Sequence, residues 1–254
     1  MGVGTNILGY ANTYVDRKVK YFVDSGNIST LNSPEEVQLA EKLIDLHPGM
    51  EMAKFARTGG EANAIAIRIA RAAQNEKKHK IAICGYHGWH DWYLSSNLEN
   101  TKNLDNHLIT SLKPNGVPSF LKNTCYPFEY GEYKKFKKII SNESIGIIMM
   151  EVSRNKSLNT KFINYVKNVA KQKGIILIFD ECTSGFRQTY GGLHKLFKIN
   201  PDMAIFGKAL GNGYAINAIL GKERIMRSAE ETFISSTFWT ERIGPTAALK
   251  TLEE

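Results

Sequence analysis

Residues 174–181 read GIILIFDE: five apolar positions in a row, no polar alternation, then two acids. A strand with one face in water alternates apolar and polar residues. An unbroken apolar run bounded by a glycine and charges is a strand buried on both faces, as in a parallel sheet with helices above and below it. Further short apolar runs follow the same logic: MAKFA (52–56), KIAIC (80–84), HLITSL (107–112), IGIIMMEV (145–152), DMAIF (202–206) and AINAILG (215–221). Together they predict seven strands.

Helical patterns lie between these runs. NSPEEVQLAEKLIDLHPG has Ser33 as cap, Pro34 in the first turn and Glu36 to complete a capping box. Its apolar stripe is Val37, Leu39, Ala40, Leu43, Ile44 and Leu46, and Pro48-Gly49 ends it. EANAIAIRIARAAQN follows the first strand. NTKFINYVKNVAKQKG joins two later strands, capped by Asn159 and stopped at Gly174. Strands alternating with helices give an α/β domain around a mostly parallel sheet.

The composition suits such a core, with 43% hydrophobic and 23% charged residues. The formal charge of +8 comes from lysines spread along solvated faces, as in GEYKKFKKI. No basic patch is interleaved with aromatics, so no nucleic-acid partner is expected. Cys84, Cys125 and Cys182 are odd in number and lack CxxC spacing, which predicts a reducing, cytoplasmic setting. No apolar run reaches membrane-spanning length, and residues 1–16 lack a signal-peptide pattern, so no membrane partner is expected.

In open α/β sheets, ligands sit at the carboxyl ends of the strands. Four groups of interest fall there. Gly59 and Gly60 close a strand and open a helix, a natural phosphate cradle, though a plain strand-to-helix turn explains them too. Asp180 ends the most buried run, where a carboxylate needs a partner; it caps the next turn or holds a cationic ligand atom. Glu181 beside it should point the other way. Lys208 follows the sixth run as a candidate Schiff-base nucleophile, or else as half of a salt bridge. Tyr86 and His87, in CGYHGWHDW, offer an aromatic face for a flat ring, while His87, His90 and Asp91 could instead ligate a metal. One ligand satisfies all four groups: pyridoxal 5′-phosphate. Its phosphate would sit on Gly59-Gly60, its ring against Tyr86 or His87, its ring nitrogen on Asp180 and its aldehyde on Lys208.

The blocks RTGGEANAIAIRIAR, GYHGWHD, ILIFDECTSGFR, GGLHKLFKINPDMAIFGKALGNGYAINAILGKERIM and TFWTERIGPTAALKTLE occur in one order across nearly the whole chain. In this the sequence resembles the class III pyridoxal-phosphate aminotransferases, most of all their glutamate-1-semialdehyde 2,1-aminomutase-like members. The resemblance implies the large domain of fold type I: a three-layer sandwich around a mostly parallel seven-stranded sheet. Residues 1–48 would form a helical segment leading into a cofactor-binding domain at 49–254, with a C-terminal small domain missing and both ends truncated. Carried over, Lys208 holds the cofactor aldehyde and Asp180 the pyridine nitrogen. Tyr86 stacks on the ring with His87 beside it, and Gly59 and Gly60 bind the phosphate. Thr240 would reach the phosphate of a neighbouring subunit, which implies a homodimer with shared sites.

Three departures stand out. Gly60 occupies a position where the family commonly has Ser or Thr. Glu151-Val152 replaces a common Glu-Pro, and Thr183 replaces Met, Gln or Ile. The activity expected is transfer of an amino group between an amino compound and a carbonyl compound. The alternatives are an intramolecular aminomutase and an inactive cofactor-binding remnant. The TFWTERIGP block, where aminomutases tend to have GTLSGNP, favours the transaminase.

Overall fold

The computed structural model describes residues 1–153 and 159–254. Its helices are α1 (Thr13–Ser25), α2 (Pro34–Leu46), α3 (Gly59–Ala72), α4 (Asp91–Leu94), α5 (Tyr133–Ile140), α6 (Thr160–Lys173), α7 (Glu223–Met226) and α8 (Ile243–Glu253). Its strands are β1 (Met52–Ala56), β2 (Lys80–Cys84), β3 (Cys125–Pro127), β4 (Ile145–Glu151), β5 (Ile176–Asp180), β6 (Met203–Phe206) and β7 (Asn217–Gly221). They form one sheet in the order β1-β7-β6-β5-β4-β2-β3. Only β7 runs against its neighbours β1 and β6; the other pairs are parallel.

Side-chain alternation splits the sheet into two buried faces. Ile147 and Met149 of β4, Ile176 and Ile178 of β5 and Ile205 of β6 pack under the apolar stripe of α3. Ile148, Met150, Leu177 and Phe179 point the opposite way, onto Phe136 of α5 and Phe162 and Val166 of α6. Ala204, Phe206, Ala218 and Leu220 continue that second face under Leu39 and Leu43 of α2 and Ala248 and Leu252 of α8. This is the expected three-layer sandwich, and β5 is buried at every position.

Two local expectations need correction. The stretch 107–112 is not a strand. His107 turns inward to the backbone of Gly85, Leu108 and Ile109 are left exposed, and Ser111 takes a positive φ of 62° that a strand forbids. The short edge strand β3 takes its place in the sheet. The capping box on α2 is only half made: Ser33 accepts from the Glu36 N–H at 3.3 Å, but Glu36 Oε2 is buried without a partner.

Candidate functional site

The carboxyl ends of β5 and β6 are adjacent and parallel, with Asp180 opposite Ile205. This register brings the two charged groups of the site to one rim of the sheet. Lys208 lies just past β6, partly buried, and its Nζ donates to Thr183 Oγ1 at 3.2 Å. Its φ is +45°, uncommon for a residue with a side chain. Gly207 before it has no room for more: a Cβ there would lie 1.9 Å from Asn217 Oδ1. Lys208 thus follows a position that admits no side chain and itself takes a left-handed backbone conformation.

Asp180 is 3% exposed and fully engaged on one side. Oδ2 accepts from Asn63 Nδ2 and from His87 Nδ1, both at 2.9 Å, and Oδ1 accepts from the Cys182 N–H at 3.0 Å. Burial alone would push its pKa up; the His87 bond and charge, then the Cys182 and Asn63 bonds, outweigh that and hold it below the usual carboxylate range. An ionised carboxylate offers about four acceptor sites, and three are filled, so one remains for a further cationic donor. Asn63 donates also to the His87 carbonyl at 3.1 Å. Both partners are acceptors, which fixes the amide with its nitrogen toward Asp180.

Glu181 points away, as expected. It is wholly buried, where it accepts from the Leu193 and His194 N–H groups at 2.6 and 3.1 Å and from Ser184 Oγ at 2.8 Å. Cys182 packs between Asn217 and the start of α3. Burial, then the Asp180 carboxylate, raise its thiol pKa well above normal. A thiol so raised favours its protonated form.

The start of α3 supplies the third part. Thr58 Oγ1 accepts from the Glu61 N–H at 3.3 Å, and Glu61 Oε2 returns to the Thr58 N–H at 3.4 Å. This capping box leaves the first N–H groups, those of Gly59 and Gly60, without an intrahelical acceptor. With the helix dipole behind them they suit an anion. Gly59 lies at the Asp180 end of the cleft, since a Cβ there would be 3.6 Å from Cys182 Sγ.

The 85–90 turn closes the site. The half-buried Tyr86 is fastened by its N–H to Glu151 Oε2 at 3.0 Å, so the Glu151-Val152 departure keeps a working carboxylate. The Tyr86 ring meets Tyr93 edge-on at 5.8 Å. His87, expected beside the ring of a ligand, is wholly buried with Nδ1 on Asp180. His90 instead lies against Gly60. His87, His90 and Asp91 therefore make no ligand set, and among the described residues no three His, Cys, Asp or Glu side chains converge. Thr240 stands apart, its hydroxyl donating to the Ser29 carbonyl.

The fold thus gathers Gly59, Gly60, His87, Asp180 and Lys208. Sequence reasoning did not single out Asn63, Cys182 or Asn217. Asn63 is a helix-face amide whose partners appear only when α3 packs on the sheet, while Cys182, just past β5, and Asn217, the first residue of β7, meet each other across the sheet end. Thr183 had a signal, because it stood out as a departure.

The full extent of the likeness decides the family: residues 2–254 match the model of class-III aminotransferases. The chain belongs to the class-III aminotransferase family. It is 36% identical over 98% of its length to a 3-aminobutyryl-CoA aminotransferase of Cloacimonas acidaminovorans, and 32% identical over 100% of its length to a glutamate-1-semialdehyde 2,1-aminomutase of Sulfolobus acidocaldarius. It spans 58% and 61% of those two proteins. The same fold occurs in the PLP internal aldimine form of the FumI protein of Sphingopyxis sp. MTA144, with a TM-score of 0.84 at 22% identity, covering 98% of this chain and 58% of that one. Among the described residues, no helix of this class-III member is long and apolar enough to cross a membrane.

Proposed function

We propose that the chain is the cofactor-bearing large domain of an aminotransferase. It moves an amino group between small amino and carbonyl substrates, using pyridoxal 5′-phosphate held by Lys208. The observation that carries this reading is the placement of Lys208 and the clamped, ionised Asp180 at adjacent strand ends, with two N–H groups at the start of α3 left without intrahelical acceptors. When bound, the cofactor supplies an electron sink for the bond broken at the substrate's α-carbon. Asp180 uses its remaining acceptor site to keep the ring nitrogen protonated. Gly59 and Gly60 hold the phosphate, and Tyr86 offers a face to the ring. Lys208, once its amine is free, takes the α-proton and returns it elsewhere.

The test is direct. The chain purified with pyridoxal 5′-phosphate is expected to be coloured, and borohydride reduction should label the peptide containing Lys208. A colourless protein, or a label elsewhere, overturns the reading. Colour and label at Lys208 without turnover keep the site and reject the activity.

An aminomutase is the second reading, favoured by the 32% identity to the Sulfolobus enzyme. Conversion of glutamate-1-semialdehyde to 5-aminolevulinate without an added amino donor would select it over the transaminase. The homodimer belongs to this proposal as well, with Thr240 serving the neighbouring subunit's phosphate; a monomeric, fully loaded protein would reject it.

A further inference from the structure

The imidazole of His90 has no role in the site so far, and its position is unusual. It fills the volume that a side chain on residue 60 would occupy: a Cβ built on Gly60 would lie 2.8 Å from His90 Cε1 and 3.0 Å from Nδ1. The turn that carries it is pressed onto the same point. Gly88, with φ +99°, sits so close that its own Cβ would come within 2.9 Å of the Gly60 Cα. Trp89 stacks on the imidazole at 4.8 Å and 27°, fixing the ring plane from outside. Yet His90 Nδ1 is buried and has no hydrogen-bond partner. It caps nothing either, although residue 90 is the N-cap of α4.

A buried polar atom left unmade is costly, and the cost is removed when a ligand supplies the partner. The unmatched atom lies at the start of α3, beside two N–H donors that also lack acceptors. The two N–H groups can only donate, the imidazole donates in the tautomer that carries its proton on Nδ1, and an oxyanion would satisfy all three together. We infer that His90 is a phosphate-binding residue, its imidazole replacing a side chain at residue 60 and adding a third donor to the Gly59 and Gly60 N–H groups. Gly60 and His90 are then two halves of one device, because a side chain on residue 60 and the imidazole cannot share the space.

This inference rests on the cofactor reading above, and the experiment separates the two. The wild-type chain and its variants are titrated with pyridoxal 5′-phosphate and with unphosphorylated pyridoxal, followed by absorbance. His90→Ala should weaken binding of the phosphate ester about tenfold, the scale of one charge-assisted hydrogen bond, and leave pyridoxal binding unchanged. Gly60→Ser alone should weaken the ester because its Cβ meets the imidazole. Combined with His90→Ala it should recover most of the loss, since the hydroxyl then has room. His90→Gln, which keeps bulk and a donor, covers the case in which His90→Ala does not fold; it should hold the ester within about threefold of wild type. Equal loss of both ligands in His90→Ala, or no loss of either, overturns the inference, as does a double variant no better than its parents. A wild-type chain that binds neither compound overturns the cofactor reading itself.

Discussion

Asp180 and Glu181 are adjacent carboxylates with opposite work, and the difference comes from strand alternation alone. Asp180 faces α3 and retains an open acceptor site; Glu181 faces inward and is used up by two backbone N–H groups, Ser184 and His194. Replacing each by its amide should separate the two jobs. Glu181→Gln puts an NH2 where backbone donors already point, and a buried mismatch of this kind costs about 1–3 kcal/mol, so its thermal midpoint should fall clearly. Asp180→Asn meets a similar mismatch at Asn63 and His87 but, in addition, cannot hold a protonated ring nitrogen. We expect it to retain borohydride labelling at Lys208 while losing at least a hundredfold in turnover, about 3 kcal/mol of transition-state stabilisation. Turnover of Asp180→Asn within tenfold of wild type would remove Asp180 from the chemistry. Lys208 and Asp180 were legible because charge at the end of an apolar run is anomalous in itself. The donors that clamp Asp180 were not. Asn63 in a helix reads as an ordinary polar residue until α3 is laid on the sheet.

At the scale of elements, the start of α3 shows how local chemistry prepares a site. The box between Thr58 and Glu61 satisfies the cap and leaves the glycine N–H groups for a ligand. Thr58→Ala should lower unfolding free energy by about 1 kcal/mol, measured in urea, and should weaken pyridoxal 5′-phosphate more than pyridoxal. Loss of stability with no discrimination between the two ligands would mean that the cap serves folding alone. The same elements show where sequence patterns stop. The strand β2 matches its apolar run at 80–84 because four of its five residues are buried inside the sheet, and the edge strand β1 matches 52–56 although only Phe55 and Ala56 are buried. The strand expected at 107–112 failed because its apolar residues are not the ones buried there; His107 is. Three-residue β3, ending in a proline at the sheet edge, has too little sequence to carry a period. The box was expected on α2 and is complete on α3, because a carboxylate closes it only where the local geometry turns it back, and the half-buried Glu36 instead leaves its Oε2 buried without a partner.

The whole molecule carries two histidines whose burial ties its stability to pH. His47 donates Nδ1–H to the Leu43 carbonyl at 2.7 Å and accepts the Gly192 N–H at Nε2 at 3.0 Å, joining the end of α2 to the loop before β6. His107 packs its Nδ1 2.9 Å from the Gly85 backbone, under the turn that carries Tyr86. Burial, ahead of the backbone bonds that oppose it, pushes both pKa values down to about 4. In the unfolded chain each histidine titrates near 6.5. Between those values the unfolded chain binds more protons, so stability is full above about pH 6.5 and is lost as pH falls toward about 4. Each histidine should remove about 2 kcal/mol between pH 7.5 and pH 5. Asp180 adds its own loss only at lower pH, because its folded pKa is depressed below the usual carboxylate value. Urea midpoints taken at pH 7.5, 6.5 and 5 should therefore fall steadily, before most carboxylates begin to titrate. His107→Gln should start less stable at pH 7.5, having lost a fitted ring, but should show about half the wild-type decline by pH 5, since one of the two titrating groups is gone. A wild-type midpoint that stays level from pH 6.5 to 5, or a His107→Gln slope equal to wild type, would show that these imidazoles are not the groups coupling the Tyr86 turn and the α2 terminus to proton concentration.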